Sequence, residues 1–219
     1  MRRDSAKTNQ CMALKSKSAL GVVILGAGAS VRMGRPKLLL PWRGTSVIAH
    51  LVAQWRRLEA TQIAIVCRRE DKLLATELRR IGFPPRHCIV NPNPERGMFS
   101  SIVCAAKWKG WDARVTAWVI SLGDQPHLQM ETLRTVLLFH ARHPDAVCQP
   151  FFEKHRRHPV LLPRDAFLAL RKTHASNLHE YLQRSNFKRM ECSIEDSGLS
   201  LDLDYPEDYN RLSTEHRAP

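Results

Sequence analysis

Three features predict an α/β protein with a mostly parallel central sheet. Short apolar runs that read as strands alternate with amphipathic stretches that read as helices, the alternation persists from residue 20 to about residue 212, and no repeat or Pro-rich linker interrupts it. Helices between successive strands leave room for parallel crossovers and cover both faces of the sheet.

Residues 20 to 25 form an apolar run that stops at Gly26 and Gly28, as a buried strand feeding a tight loop does. Ser46 suits the N-cap of a helix through Leu58, because Val47, Ile48, Leu51, Val52 and Trp55 then share one face. The pattern continues with a strand at 62 to 67, a helix at 71 to 81, a strand at 88 to 90, a helix at 99 to 108 and a strand at 115 to 122. Beyond Gly123 it predicts a helix at 130 to 140, strands near 146 to 149 and 160 to 162, and two short helices before Tyr181. The last 30 residues carry the weakest pattern.

A chain of 219 residues with 43% hydrophobic content closes one sizeable core and is short for two. The expected organisation is one domain over 20–212, a basic and disordered tail at 1–19 and a C-terminal tail at 213–219. No run approaches the roughly 18 apolar residues of a membrane span, and the N-terminus lacks a secretory pattern, so a soluble, cytoplasmic protein without membrane contact is expected. The six cysteines (Cys11, Cys67, Cys88, Cys104, Cys148 and Cys192) stand singly and read as reduced core residues. Thirty-four Lys and Arg against 21 acids give a net charge of +13, which predicts attraction to polyanions without naming one.

In an open parallel sheet the ligand crevice lies beyond the carboxyl ends of the strands, and three segments fall there. The first is the loop from Leu25, Gly26, Ala27 and Gly28 through Ser30, Arg32, Met33 and Gly34 to Lys37. Small residues let backbone N–H groups approach phosphate oxygens, and Arg32 and Lys37 can neutralise a triphosphate. It is neither a Walker loop, since Arg35 follows Gly34, nor a dinucleotide fingerprint, since position 31 is Val. An ordinary strand-to-helix turn would carry the same small residues.

The second segment is Gly123-Asp124-Gln125-Pro126, where a carboxylate at a strand end can hold Mg²⁺ against triphosphate oxygens or, equally well, cap a helix. The third is Leu201-Asp202-Leu203-Asp204-Tyr205-Pro206, read as a strand end before a Pro that opens a last helix. Two residues apart, Asp202 and Asp204 point to opposite sides, so one of them faces the crevice. His155 and His158 read as surface or substrate-contacting residues, since metal sites need three or four converging groups. Trp108, Trp111 and Trp118 fit core packing better than base stacking.

Together, and in this order, the three segments resemble the MobA-like nucleotidyltransferases, and Gly-Asp-Gln-Pro most resembles their molybdenum cofactor cytidylyltransferase branch. The family signature Leu-Ala-Ala-Gly-x-Ser-x-Arg-Met-Gly-x-x-Lys is matched at Leu25, Ala27, Gly28, Ser30, Arg32, Met33, Gly34 and Lys37. The resemblance implies a Rossmann-like three-layer sandwich and transfer of CMP from CTP to a phosphorylated acceptor, molybdopterin first, with release of pyrophosphate. It implies Mg²⁺ held by Asp124 and Asp204, catalysis by Arg32, Lys37 and Asp124, and a triphosphate gripped by Leu25, Gly26, Ala27 and Gly28 with those cations. Asn91, Gly97, Ser100 and Ser101 look like the family's base-contacting region. Contact with a molybdoenzyme or its chaperone is implied as well, and a nucleic-acid partner is not expected. The alternatives are another nucleotide or acceptor, such as guanylyl transfer or a sugar or polyol phosphate, and a non-catalytic polyanion binder.

The chain departs from the family pattern in four places. Gly26 replaces an Ala, a change expected only to loosen the loop, and Arg157 replaces a Gly before His158-Pro159-Val160. Tyr205 stands where a small hydroxyl residue is common, and Thr173 to Leu178 replace a Gly-Asp-x-Gly-Ala-Arg segment.

Overall fold

The computed structural model describes residues 19–215. The basic N-terminal segment expected at 1–19 lies almost wholly outside these residues, as does Cys11.

Strands β1 (Leu20–Leu25), β2 (Gln62–Arg68), β3 (Cys88–Asn91) and β4 (Ala117–Leu122) alternate with helices α1 (Val47–Arg57), α2 (Lys72–Arg80) and α3 (Met98–Lys107). Helix α4 (Met130–Arg142), strands β5 (Val147–Phe152), β6 (His155–Arg156) and β7 (Val160–Pro163), helices α5 (Arg164–Ala169) and α6 (Leu178–Arg184), strand β8 (Arg189–Ser193) and helix α7 (Pro206–Glu215) follow. The sheet order is β8-β5-β7-β4-β1-β2-β3, with β6 paired to β5. β7 runs antiparallel to both β4 and β5, whereas β1 is parallel to β2 and β4, β2 to β3 and β5 to β8. The result is the expected three-layer α/β sandwich with a mostly parallel sheet.

Alternation along the central strands divides the core in two. Val22 and Ile24 of β1, with Ile63 and Ile65 of β2, pack against α1, α2, α4 and α7 on one face. Val23, Ala64, Val66 and Trp118 pack against α3, α5 and α6 on the other. Both faces are buried, so these strands read as continuous apolar runs. Gly21 leaves room for the Trp118 indole, since a Cβ there would lie 2.8 Å from the ring. Trp118 stacks on Phe167 with ring centroids 4.3 Å apart, and Trp111 meets both edge-on. The tryptophans are packing residues, and Cys67, Cys88, Cys104, Cys148 and Cys192 are free thiols.

Local signals account for several helix starts. Ser46 accepts from the Ala49 N–H and Asp71 from the Leu74 N–H, capping α1 and α2. Pro206 opens α7.

Several boundaries differ from the sequence reading. The strand expected from 115 starts at Ala117, because the Val115 N–H closes a turn on Asp112. The strand expected at 146 to 149 continues to Phe152 through Pro150, whose lost donor is harmless because β7 pairs with β5 only near Cys148. The second short helix runs past Tyr181 to Arg184, capped by Asn177, with the Tyr181 hydroxyl donating to Ala166 O at 2.6 Å. Residues 201–204 form no strand, since their only rung to the sheet edge is Leu203 N–H to Asp124 O at 3.0 Å. The last helix reaches Glu215, three residues into the expected C-terminal tail. Strand β8 escaped detection because it is a mostly solvated edge strand with no apolar run. A two-residue hairpin, Pro41–Trp42 with Thr45–Ser46, escaped as well; it turns on Arg43 and Gly44, both at positive φ. Among the described residues no helix is long and apolar enough to cross a membrane.

Candidate active site

Strands β1, β2, β3 and β4 are parallel, so the segments after Leu25, Arg68, Asn91 and Leu122 emerge on one edge of the sheet. One glycine brings the first and last of these together, and a second packs the loop against β2. A Cβ on Gly123 would sit 2.5 Å from Leu25 O, and one on Gly26 would sit 2.8 Å from Leu38 Cδ1 and 3.1 Å from Val66 O. At Gly123 the close neighbour is a backbone oxygen, so only glycine permits the approach that lays Asp124 beside the loop following β1. Gly26 therefore does not loosen the loop: its N–H donates to Val66 O at 2.8 Å, and the tight packing makes glycine a fit rather than a relaxation.

Beyond Gly26 the loop is held by its own side chains. Met33 and Leu38 are buried, Ser30 adopts a φ of 50°, and the Ser30 hydroxyl accepts from the Lys37 N–H at 3.2 Å. With those anchors inward, Arg32 is exposed and Lys37, largely enclosed, reaches across to the acids. Gly28 has no neighbour within 4 Å of the position a Cβ would take, leaving its backbone open.

The cations of the loop meet two carboxylates from distant segments. Lys37 Nζ lies 2.6 Å from Asp204 Oδ1 and 3.7 Å from Asp124 Oδ2, and Arg32 Nη1 lies 3.1 Å from Asp204 Oδ2. The Arg32 guanidinium also sits over the Tyr205 ring, 5.7 Å from its centroid. Burial, aided by the Asp202 charge and opposed by Lys37, pushes the Asp124 carboxyl up to about 6. The Lys37 hydrogen bond holds the Asp204 carboxyl below its usual range. The two acids are thus tuned in opposite directions within one cluster.

Asp202 and Asp204 take different partners, although the segment that carries them is not a strand. Asp202 accepts from Gln125 Nε2 at 2.9 Å, and Gln125 also donates to Leu201 O at 3.3 Å. Gln125 is thereby a buried brace that fastens the 201–202 segment to the end of β4.

Among the described residues no three His, Cys, Asp or Glu side chains converge as a metal cage, so the histidine pair does not form one. His155 lies exposed on β6, and His158 Nδ1 is 3.3 Å from Ile120 O with burial lowering its pKa. Asp124 and Asp204 fit a different type of site. Both come within 4 Å of a single ammonium nitrogen, so both face one position where a cation sits. Mg²⁺ commonly takes one or two carboxylates and fills its octahedron with substrate phosphates and water.

A cavity of about 750 Å³ opens beside the loop, walled by Gly28 to Ser30, Gly34 to Pro36, Arg68 to Asp71, and Asn91, Pro92 and Pro94. The residues at and after the end of β2, Arg68 and Arg69 with Glu70 and Asp71, were missed by the sequence reading, although the strand-end rule applied to β2 points to them. Asn91 borders the cavity, but its side chain turns inward. Its amide donates to Ser100 Oγ at 2.8 Å and Ser101 Oγ at 3.0 Å, and its carbonyl oxygen accepts from the Asn93 N–H at 3.0 Å. Asn91, Ser100 and Ser101 thus buckle the 91–101 rim together, and Gly97, at φ 83°, starts α3. Gly97, Ser100 and Ser101 do not belong to the cavity wall.

The profile of the MobA-like NTP transferase domain matches residues 22–190, a segment that contains the loop and Asp124 and stops short of Asp204. The molybdenum cofactor cytidylyltransferase of Escherichia coli strain K12 is 23% identical over 193 residues, 88% of this chain and 94% of that protein. The crystal structure of Rv0371c from Mycobacterium tuberculosis H37Rv superposes with a TM-score of 0.70 at 26% identity, over 90% of this chain and 98% of that one. A manganese complex of Rv0371c superposes with a TM-score of 0.66 at 23% identity, over 90% and 98% of the two chains.

Proposed function

We propose that this chain, which belongs to the MobA-like NTP transferase family, is a Mg²⁺-dependent cytidylyltransferase that moves CMP from CTP to a phosphorylated acceptor, with molybdopterin the leading candidate. The observation that carries the reading is the convergence of Asp124 and Asp204 on Arg32 and Lys37 of the loop after β1. Two acids at the mouth of a phosphate loop would repel a triphosphate unless a cation stands between them, which is the arrangement a metal-nucleotide enzyme needs. The choice of CTP and molybdopterin leans on the likeness to the E. coli cytidylyltransferase.

In this reading the open backbone at Gly28 and the side chains of Arg32 and Lys37 hold the triphosphate. Asp124 and Asp204 would hold the metal, which supplies positive charge to phosphate oxygens as the pyrophosphate leaves. An oxygen of the acceptor phosphate attacks the α-phosphorus; the new P–O bond forms as the bond to pyrophosphate breaks. Lys37 and Arg32 stabilise the charge that collects on the leaving group. A phosphate oxygen is already ionised near neutral pH, so no side chain has to take a proton from it. The nucleoside is assigned to the 750 Å³ cavity, with Arg68 to Asp71 and the buckled rim at Asn91 as its walls.

A different phosphorylated acceptor, a sugar or polyol phosphate, is favoured by one observation. Arg157 replaces the family's Gly, and its backbone N–H is tied to Pro150 O at 2.8 Å, putting a long cation where the family keeps a small residue.

The test measures pyrophosphate released from each of the four triphosphates with Mg²⁺ and candidate acceptors. CTP with molybdopterin should be fastest, and Asp124→Ala should cut turnover on the order of a hundred- to thousand-fold. Silence with every donor and acceptor, or near-normal turnover in Asp124→Ala, would overturn the proposal.

A further inference from the structure

The carboxylates of Asp124 and Asp204 face a cation that the chain itself supplies. Lys37 Nζ bonds Asp204 at 2.6 Å and lies 3.7 Å from Asp124, while Arg32 takes the other oxygen of Asp204. The stem of Lys37 is well enclosed, with only 15% of its side chain exposed, and its backbone is pinned by Ser30. What can move is the ammonium at the end of four flexible carbons. A divalent ion between the same two acids would compete with Lys37 for its oxygens and set two positive charges beside a third.

We infer that Lys37 is an internal counter-ion that competes with the divalent metal for Asp124 and Asp204, so that metal and triphosphate bind together far more readily than either alone. This rests on the proposed assignment of those two aspartates as metal ligands. Metal alone strands the Lys37 ammonium against a dication. Triphosphate alone draws Lys37 and Arg32 away and leaves two bare carboxylates facing phosphate. When both arrive, the acids pass to the metal and the cations pass to the phosphates, and every charge keeps a partner. The coupling is reciprocal, because each ligand raises the other's affinity by the same factor. It also disfavours occupation of the site by free metal.

The experiment follows Mn²⁺ binding by electron paramagnetic resonance at pH 8, without nucleotide, in the wild type, Lys37→Gln, Lys37→Arg and Asp204→Asn. Lys37→Gln should bind Mn²⁺ alone on the order of tenfold more tightly than the wild type, since it removes both the competing ion pair and the repulsion. Lys37→Arg keeps the charge and should bind no more tightly than the wild type, and Asp204→Asn should weaken binding. Inorganic tripolyphosphate, after correction for the metal it chelates in solution, should strengthen Mn²⁺ binding in the wild type and much less in Lys37→Gln. Urea denaturation of each variant without metal checks that all are folded. If Asp204→Asn weakens binding but Lys37→Gln binds Mn²⁺ no better than the wild type, the counter-ion role is wrong while the metal assignment stands. If Asp204→Asn leaves Mn²⁺ binding unchanged, the metal assignment falls and the inference falls with it.

Discussion

Asp124→Asn should stabilise the metal-free protein while abolishing its proposed activity. The Asp124 carboxyl is pushed from its ordinary value up to about 6, chiefly by burial, so in the folded chain its ionised form is disfavoured. The sign follows from linkage. Below about pH 3 the group is protonated in both folded and unfolded chains and contributes no difference. As pH rises through about 4 to 6 the unfolded chain releases its proton first, so stability falls and then stays level. At about 1.4 kcal/mol per unit the full shift corresponds to about 3 kcal/mol. The Asp124 side chain keeps 30% exposure, and solvent screening lowers the expected cost to about 1 to 2 kcal/mol. Asparagine has the same shape without the charge, and the attraction to Lys37 that it gives up already counts within the net shift. Urea unfolding with a chelator present should place the Asp124→Asn midpoint above the wild type at pH 8 by roughly 0.5 to 1 M, for an m-value of about 2 kcal/mol/M. The gap should close below about pH 3. Adding Mg²⁺ and CTP should reverse the order, because only the wild type gains ligand stabilisation. An Asp124→Asn protein no more stable than the wild type at pH 8 would refute the argument that this carboxylate is held ionised against its surroundings.

Three further outcomes are expected. At subsaturating Mg²⁺ the kcat/KM profile should fall on the acid side with a midpoint near pH 6, as Asp124 takes up its proton, and saturating metal should move that limb lower; a midpoint near 4 from the outset would contradict it. Gly123→Ala sets a methyl 2.5 Å from Leu25 O, a backbone atom that cannot rotate aside, and should cost about 2 to 3 kcal/mol in urea unfolding; a wild-type midpoint would show that the two loops are not in contact. Asn91→Ala leaves the buried Ser101 hydroxyl and the Asn93 N–H without their partners, costing about 2 kcal/mol, and should raise KM for the nucleotide more than it lowers kcat; an unchanged KM would detach the 91–101 rim from the proposed nucleotide site.

Much of the architecture is local information and was legible from the chain alone. Apolar runs such as Leu20–Leu25 announce strands buried on both faces, and Ser46, Asp71 and Pro206 announce helix starts through bonds or ring geometry within a few residues. The strand-end rule, applied to those runs, singled out the loop after β1 and Asp124 before any contact was known. Features without a local signature were not legible: β8 is a solvated edge strand, and the 201–204 segment has the alternation of a strand but only one backbone bond to the sheet edge.

The electrostatics of the site belong to the tertiary structure. Lys37 and Asp204 are 167 residues apart, and their 2.6 Å contact depends on Gly123 letting two strand-end loops lie against each other while Leu203 ties the last segment to Asp124. Alternation says that Asp202 and Asp204 diverge; the contacts made in space decide that Asp204 meets Lys37 and Arg32 while Asp202 meets Gln125. Asn91 looks like a ligand contact in the sequence, yet two serines nine and ten residues on draw its amide inward. Burial sets the Asp124 proton affinity, and burial is a property of what surrounds a residue in space. The sequence by itself determined which residues carry charge and which strand ends present them; the packing of distant segments determined which charges meet, because Coulomb energies and hydrogen bonds depend on separations of a few ångströms that no sequence spacing encodes.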